Sequence, residues 1–572
     1  MVLPLAFYRG YAEQFSTPKF FLAKCLIIAG LAIWALDGIW TPLRLRRIRF
    51  PLGLPLLAFS AMALISCLAS PVPRFSLMEA EFTLCGPAWV LLLASWDRGE
   101  AAVRRIAVLI GLAGLLVSGI ALLQRFGFDP VLLGGYQVDW GSMVARMRLY
   151  STFGNPNFVG GYLIGTIFAA LALAAASKAR WAKVLWLCLA LIMLAAIVET
   201  GSRGAWFGLA IGLGAAAIIV LPWNASQPQG IRASMGSTKA FVAPSAFWPM
   251  AMLTISLTER VAAQIYGRIY LWRFSWPIFW RHPLVGSGWG AYQLLYLDLQ
   301  GKFLAAHSEY VGYWTNNRLL HNDPLQLLLE TGLLGFAAFA WVLWKSGQEA
   351  LVVRRHAAGA WPRYAIAASE GGATAILADS LFNYQFAVPP TYILLFTLLA
   401  VPSLLRDTKV EKENRGQPLQ ALPARPHPWR VAWKVAGSVA ILALAGGLLG
   451  QQVQVLASER YYQIASDLED RNDLTGAEAA FRRSVGQNDL NGRAHFGLSR
   501  VLSSRGRAAE ALEEIVRAER TYTDSHQEVL RALILEQMGR KQEALAAYHH
   551  AFWLDPTLTS GPEDIDRLSK AR

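Results

Sequence analysis

The chain has 572 residues, 54% of them hydrophobic and only 16% charged, with a mean hydropathy of +0.34. Soluble proteins carry about a quarter charged residues, so the composition excludes a wholly soluble protein and indicates a membrane protein with a soluble part. The net charge of +14 is not a nucleic-acid signature, because the segment after residue 450 holds 19 acidic against 16 basic residues; the basic excess belongs to the apolar portion and reads as membrane topology, with room for an anion site.

Apolar runs of roughly 18 to 25 residues, the length a bilayer core demands, fall near 20–40, 51–70, 76–96, 106–124, 157–176, 182–199, 204–222, 241–258, 325–344, 364–386, 388–405 and 432–450. The expected fold class is therefore all-α, a polytopic bundle of about twelve spans. Basic connections at 44–49, 97–105, 177–183, 352–363 and 405–430 occupy alternate ends of the spans, and basic loops stay cytoplasmic. That leaves the first residues, the loops 125–152 and 259–320, the turn 199–203 and everything after about 450 on the outer side. No cleavable signal peptide is apparent. Cys25, Cys67, Cys85 and Cys188 all lie in apolar spans without metal-ligand spacing, and are expected to be packing residues.

Four polar constellations interrupt the apolar portion. In "STFGNPNFVGGYL" (151–163), Asn155 caps a helix that starts at Pro156, and Asn157 lies in the first turn. In "ETGSRGAWFGL" (199–209), Arg203 stands at the outer mouth of a span among glycines that admit close neighbours; it either snorkels to the interface or holds an anion. The loop 259–320 interleaves Arg268 and Arg273 with Tyr270, Trp272, Trp276 and Trp280, which suits a helix lying on phospholipid headgroups as well as one binding a ligand. "HNDPLQLLLETGLLG" (321–335) places His321 and Asn322 before a helix with Asp323 as its expected cap, Pro324 at its first position and Gln326 answering the cap. Further on, Asp379 in "LADSLFNYQF" is an acid near the outer end of a span, and intramembrane carboxylates are costly unless paired or functional.

After the last span the pattern becomes amphipathic and repeats. Ala477, Phe481 and Ser484 align with Ala511, Ile515 and Ala518, and again with Ala544, Tyr548 and Ala551, at offsets of 34 and 33 residues. This is tetratricopeptide spacing, with Pro556 closing the third repeat, and predicts an α-solenoid of about three repeats that serves partner binding and not chemistry. The expected division is a membrane domain over 1–450 and a repeat domain over 451–572.

Outer-face arginines, a histidine at a helix N-terminus and a buried acid suit a lipid-linked phosphate or diphosphate. Phosphate-loop, zinc-pair and nucleophile-elbow motifs are absent, so neither cofactor nor metal is expected. "GNPNFVGGYL", "GSRGAWFGL", "PLVGSGWGAY" and "HNDPLQLLLETGLLG" together resemble the successive signatures of the O-antigen ligase and O-antigen polymerase superfamily of bacterial inner-membrane proteins, over roughly 50–405. The resemblance implies an inverting, metal-independent glycosyltransferase of the GT-C type. Such an enzyme moves glycan from undecaprenyl diphosphate to a lipid, protein or glycan acceptor on the periplasmic side. It further implies His321 as base and Arg203 and Arg268 as phosphate-binding catalytic residues; Arg273, Asn155, Asn157, Asn322 and Asp379 are expected to bind substrate. Asp379 matches the family pattern only weakly, and the family's ligases usually keep both ends in the cytoplasm, which leaves the acceptor open. A polymerase joining lipid-linked repeat units shares the site; a transporter would need inverted repeats, which the sequence lacks, and a scaffold would leave the polar residues without work.

Overall fold

The computed structural model describes residues 1–41, 50–96, 98–131, 149–221, 259–356, 359–406, 428–558 and 561–570. The expected span at 241–258, the basic segment 44–49 and most of the linker 405–430 lie outside these residues. All regular structure among the described residues is helical. The apolar portion comprises α1 (Thr17–Trp40), α2 (Gly53–Ser66), α3 (Pro73–Trp96), α4 (Glu100–Arg125), α5 (Pro156–Ala176), α6 (Arg180–Thr200) and α7 (Arg203–Val220). Across the outer loop follow α8 (Glu259–Ser275), α9 (Pro277–Arg281) and α10 (Tyr292–Ala306), and then α11 (Asp323–His356), α12 (Ala360–Asp379), α13 (Pro389–Leu405) and α14 (Pro428–Asp470).

Eight of these helices are long and apolar enough to cross a membrane: α1, α3, α4, α5, α6, α7, α11 and α14. The runs near 51–70 and 388–405 form shorter apolar helices, and the run at 364–386 is helical only to Asp379. Helix α5 is the centre of the bundle, enclosed on nearly all sides, which explains its lack of a polar face. Cys67 and Cys85 are buried as expected of packing residues, whereas Cys188 is exposed on α6.

The bundle has two distinct ends. At one, Gly99 N donates to Leu404 O (2.9 Å), the Trp361 indole to Glu100 O (3.1 Å), and Arg406 pairs with Glu349 (2.7 Å). At the other, Lys19 Nζ donates to Thr152 O (2.6 Å), Asp323 N to Ser380 O (2.9 Å), and Arg460 to Gly10 O (2.9 Å). The first end collects the basic connections around 97–105 and 352–363. The second collects the chain start, the polar motifs and the tail.

Two backbone devices shape the second end. Helices α7 and α12 approach closely because Gly204, Gly208 and Gly212, one turn apart, face α12; a Cβ on Gly208 would lie 2.4 Å from Ala375 O, and one on Gly212 the same distance from Gly371 O. Helix α11 breaks at Gly332, whose φ of 67° and ψ of −173° are reserved in practice for glycine. The backbone groups freed by the break are taken up by the loop before α10: Ser287 N donates to Leu329 O (3.1 Å), Gly288 N to Glu330 O (3.0 Å), and Leu333 N to Pro283 O (2.8 Å).

The soluble tail adds α15 (Leu474–Gln487), α16 (Gly492–Ser504), α17 (Ala508–Ala518), α18 (Ser525–Gln537), α19 (Lys541–Leu554) and α20 (Gly561–Lys570). All nine residues aligned by the repeat are fully buried on α15, α17 and α19. Helix α14 runs without interruption through the expected boundary at 450/451, and its last turns pack on α15 as the first helix of the solenoid.

Candidate active site

His321 sits at the outer end of α11, in the left-handed region with φ of 52°. Such a conformation is costly for a non-glycine residue and persists where the surroundings enforce it. Here both backbone groups of the preceding residue are held: Leu320 N donates to Gln326 Oε1 (3.1 Å), and Leu320 O accepts from the Trp272 indole of α8 (3.2 Å). The cap differs from expectation by one residue. Asn322 Oδ1 accepts from Leu325 N (2.9 Å), so Asn322 is the cap and Asp323 the first helical residue. The Asp323 carboxylate accepts instead from Phe386 N (3.0 Å), tying α11 to the loop after α12, and Gln326 Nε2 donates to Glu330 (3.1 Å).

The imidazole meets Tyr384 edge-on, with centroids 4.7 Å apart, and its Nδ1 is enclosed without a hydrogen-bond partner. Burial, followed by the positive charge of Arg268, pushes the His321 pKa down to about 4, so the ring is neutral at ordinary pH. Arg268 projects from α8 over the Phe382 ring at 5.9 Å. Its own pKa is lowered by burial, with Asp379 opposing the shift and Arg203 adding to it, so three of the expected charged residues lie within electrostatic reach of one another. Arg203 is exposed, immediately after the cap formed by Ser202, whose Oγ accepts from Ala205 N (3.4 Å).

Asp379 is fully buried and paired. Asn383 Nδ2 donates to one carboxylate oxygen (2.6 Å) and Gln385 Nε2 to the other (2.5 Å). Gln385 also donates to Asn157 O (3.1 Å) and lies against Gly161, while Asp379 itself fills the space that a side chain on Gly204 would need. The glycines flanking Arg203 therefore admit another part of the chain. Asn155 caps α5 through Asn157 N (2.9 Å) as expected, so its carbonyl oxygen is committed to the backbone.

The structure thus brings His321, Arg268, Arg203 and Asp379 together, with Asn155, Asn157 and Asn322 framing them. Arg273 is not among them. It donates to the Tyr310 hydroxyl (2.8 Å) and packs over Phe303 and Tyr310 in the aromatic core of the outer loop. The residues missed from the sequence are Asn383, Tyr384 and Gln385, which follow Asp379 in the same quoted stretch. A run of amides after an intramembrane acid was the available signal. Among the described residues no cluster of three His, Cys, Asp or Glu side chains is arranged to hold a metal.

The fold and the site define the class: a multi-pass membrane protein with an enclosed histidine beside an arginine at one end of its helix bundle. Residues 188–340 match the family model for O-antigen ligase, a segment that contains Arg203, Arg268, Arg273 and His321. Over that segment the protein is similar to the O-antigen ligase family, and the match supports a membrane glycan-transfer function. No curated protein matches the chain. Among solved structures, the Arabidopsis OM64 tetratricopeptide-repeat domain is 18% identical, with a TM-score of 0.20, over 21% of this chain and 99% of that one.

Proposed function

We propose that the protein transfers a glycan from an undecaprenyl-diphosphate-linked donor to an acceptor hydroxyl at the periplasmic face of a bacterial inner membrane, with inversion and without a metal. The observation that carries this reading is the neutral His321 beside Arg268 at the mouth of the bundle. His321 takes the proton of the acceptor hydroxyl as its oxygen bonds to the anomeric carbon. The bond from that carbon to the diphosphate breaks, and the electron pair leaves with the diphosphate. Negative charge grows on the leaving group, where Arg203 and Arg268 act as preorganised cations. Asp379, held by two amides, keeps Arg268 turned toward the site. The repeat tail lies on the same side as the site and takes a protein partner.

The test is transfer from purified lipid-linked donor to acceptor in liposomes. Replacing His321 with Ala is expected to lower kcat by roughly a hundredfold or more, the range of general-base catalysis, while donor binding persists. Arg268→Ala weakens donor binding, and a chelator leaves the rate unchanged. Wild-type transfer by His321→Ala sinks the assignment. The acceptor that is consumed, a finished lipid or protein against another lipid-linked repeat unit, separates ligase from polymerase.

A further inference from the structure

The segment that delivers His321 to the bundle is gripped by the repeat tail. Leading out of the loop toward His321, Trp314 donates its indole N–H to Leu554 O at the end of α19 (2.9 Å). Asn316 Nδ2 donates to Asp524 Oδ2 (3.2 Å), and the Tyr522 hydroxyl donates to the same oxygen (3.2 Å). Arg318 stacks over the Tyr522 ring at 4.1 Å and reaches Asp524 at 4.0 Å. Beneath, Gln300 of α10 clasps the backbone of Thr315 from both sides (3.2 and 3.3 Å), and the Trp553 ring lies against Gly301. Only Leu319 then separates Arg318 from the held Leu320 and the strained His321.

We infer that the repeat tail is a working part of the transferase, and that Arg318 is a positioning residue which, clamped by Tyr522 and Asp524, fixes the segment carrying His321. This deepens the function proposed above and rests on it. Nothing in the repeat itself demands the clamp. Asp524 caps α18 through Oδ1, which accepts from His526 N (3.0 Å), and presents Oδ2 to the outer loop. One carboxylate thus serves the solenoid with one oxygen and the site segment with the other. Asp524 also lines the groove of the tail together with Phe496, Arg500, His526 and Leu530. The groups facing the imidazole are Arg268 from α8 and Tyr384 from the loop after α12; loosening of the 314–321 segment separates His321 from both and opens it to water.

The experiment uses the full chain in liposomes with the undecaprenyl-diphosphate glycan donor, comparing wild type with Arg318→Ala, Asp524→Asn and the double variant. Asparagine keeps the cap of α18, so that variant tests the charge and not the fold. Each single variant is expected to lower kcat about tenfold, within what a displacement of about 1 Å causes, with the donor KM unchanged. The double variant falls no further than the singles. The acid limb of kcat/KM moves up toward the ordinary histidine value, and amide exchange across 314–322 quickens. Unchanged exchange with an unmoved acid limb overturns the clamp. Absence of transfer by wild type overturns the functional reading alone, and the exchange measurement still decides the clamp.

Discussion

A histidine held near pKa 4 is neutral but weakly basic, and the enclosure around His321 answers that weakness only when substrate arrives. Arg268 lowers the pKa through its charge; an anionic diphosphate beside Arg268 cancels that contribution, so the base strengthens as the donor binds. The neutral form is the active one, its pKa in the free enzyme is depressed, and kcat/KM is lost only as pH falls through about 4. At pH 5.5 an ordinary histidine, with pKa near 6.5, would have lost about nine-tenths of its activity; kcat/KM for this protein is expected to be nearly flat there, with the limb of kcat lying higher. An acid limb at 6.5 in kcat/KM would show that the ring is not enclosed. At this scale the sequence made the charges legible, because Arg203, Arg268, His321 and Asp379 each interrupt apolar or aromatic surroundings. It did not make their facing legible. Arg268 and Arg273 are five residues apart on one helix and so point about 140° apart, which sends one to the site and the other to Tyr310.

Among the elements, the decisive feature is the break in α11, where the end of the quoted "HNDPLQLLLETGLLG" meets "PLVGSGWGAY". The two motifs are 30 or so residues apart in sequence and form one backbone knot, in which loop carbonyls and amides replace the helical partners that Gly332 removes. A Cβ at Gly332 would lie 2.3 Å from Leu284 O, and the backbone conformation is closed to other residues. Gly332→Ala is therefore expected to destabilise the protein by on the order of 1–3 kcal/mol or more, while Gly347→Ala, on the same helix with open space around it, leaves stability unchanged or raises it. Thermal unfolding of the purified protein in detergent is the measurement, and equal melting of the two variants would refute this account of the knot. Most helices were readable from apolar run lengths. The shortness of α2 and α13, the early end of α12 at Asp379 and the break in α11 were not, because hydropathy reports burial or lipid contact and carries no trace of a positive φ.

For the whole molecule, helix α14 links membrane and tail in one piece. Its 43 residues extend about 65 Å, roughly twice the bilayer core. The first half is apolar and exposed on most sides, Trp433, Val439, Leu442 and Leu444 all facing outward, as suits a helix within a bilayer. Midway, Gln451 and Gln452 donate to Glu81 of α3 (2.7 and 2.9 Å), which also pairs with Lys24 (3.0 Å), and the second half enters the solenoid. The tail therefore follows whichever side the outer end of α14 faces. Basic connections collect at the opposite end, where Arg354, Arg363 and Arg406 lie, the end that the positive-inside rule expects in the cytoplasm. A reporter fused after Arg572 is accordingly expected to show phosphatase activity, which requires export, and no fluorescence from a cytoplasm-restricted protein. The opposite result would invert every span at once. It would place His321 and the arginines on the cytoplasmic side, since the contacts of Arg74 with Asp489 and of Trp314 with Leu554 bind site and tail to the same end.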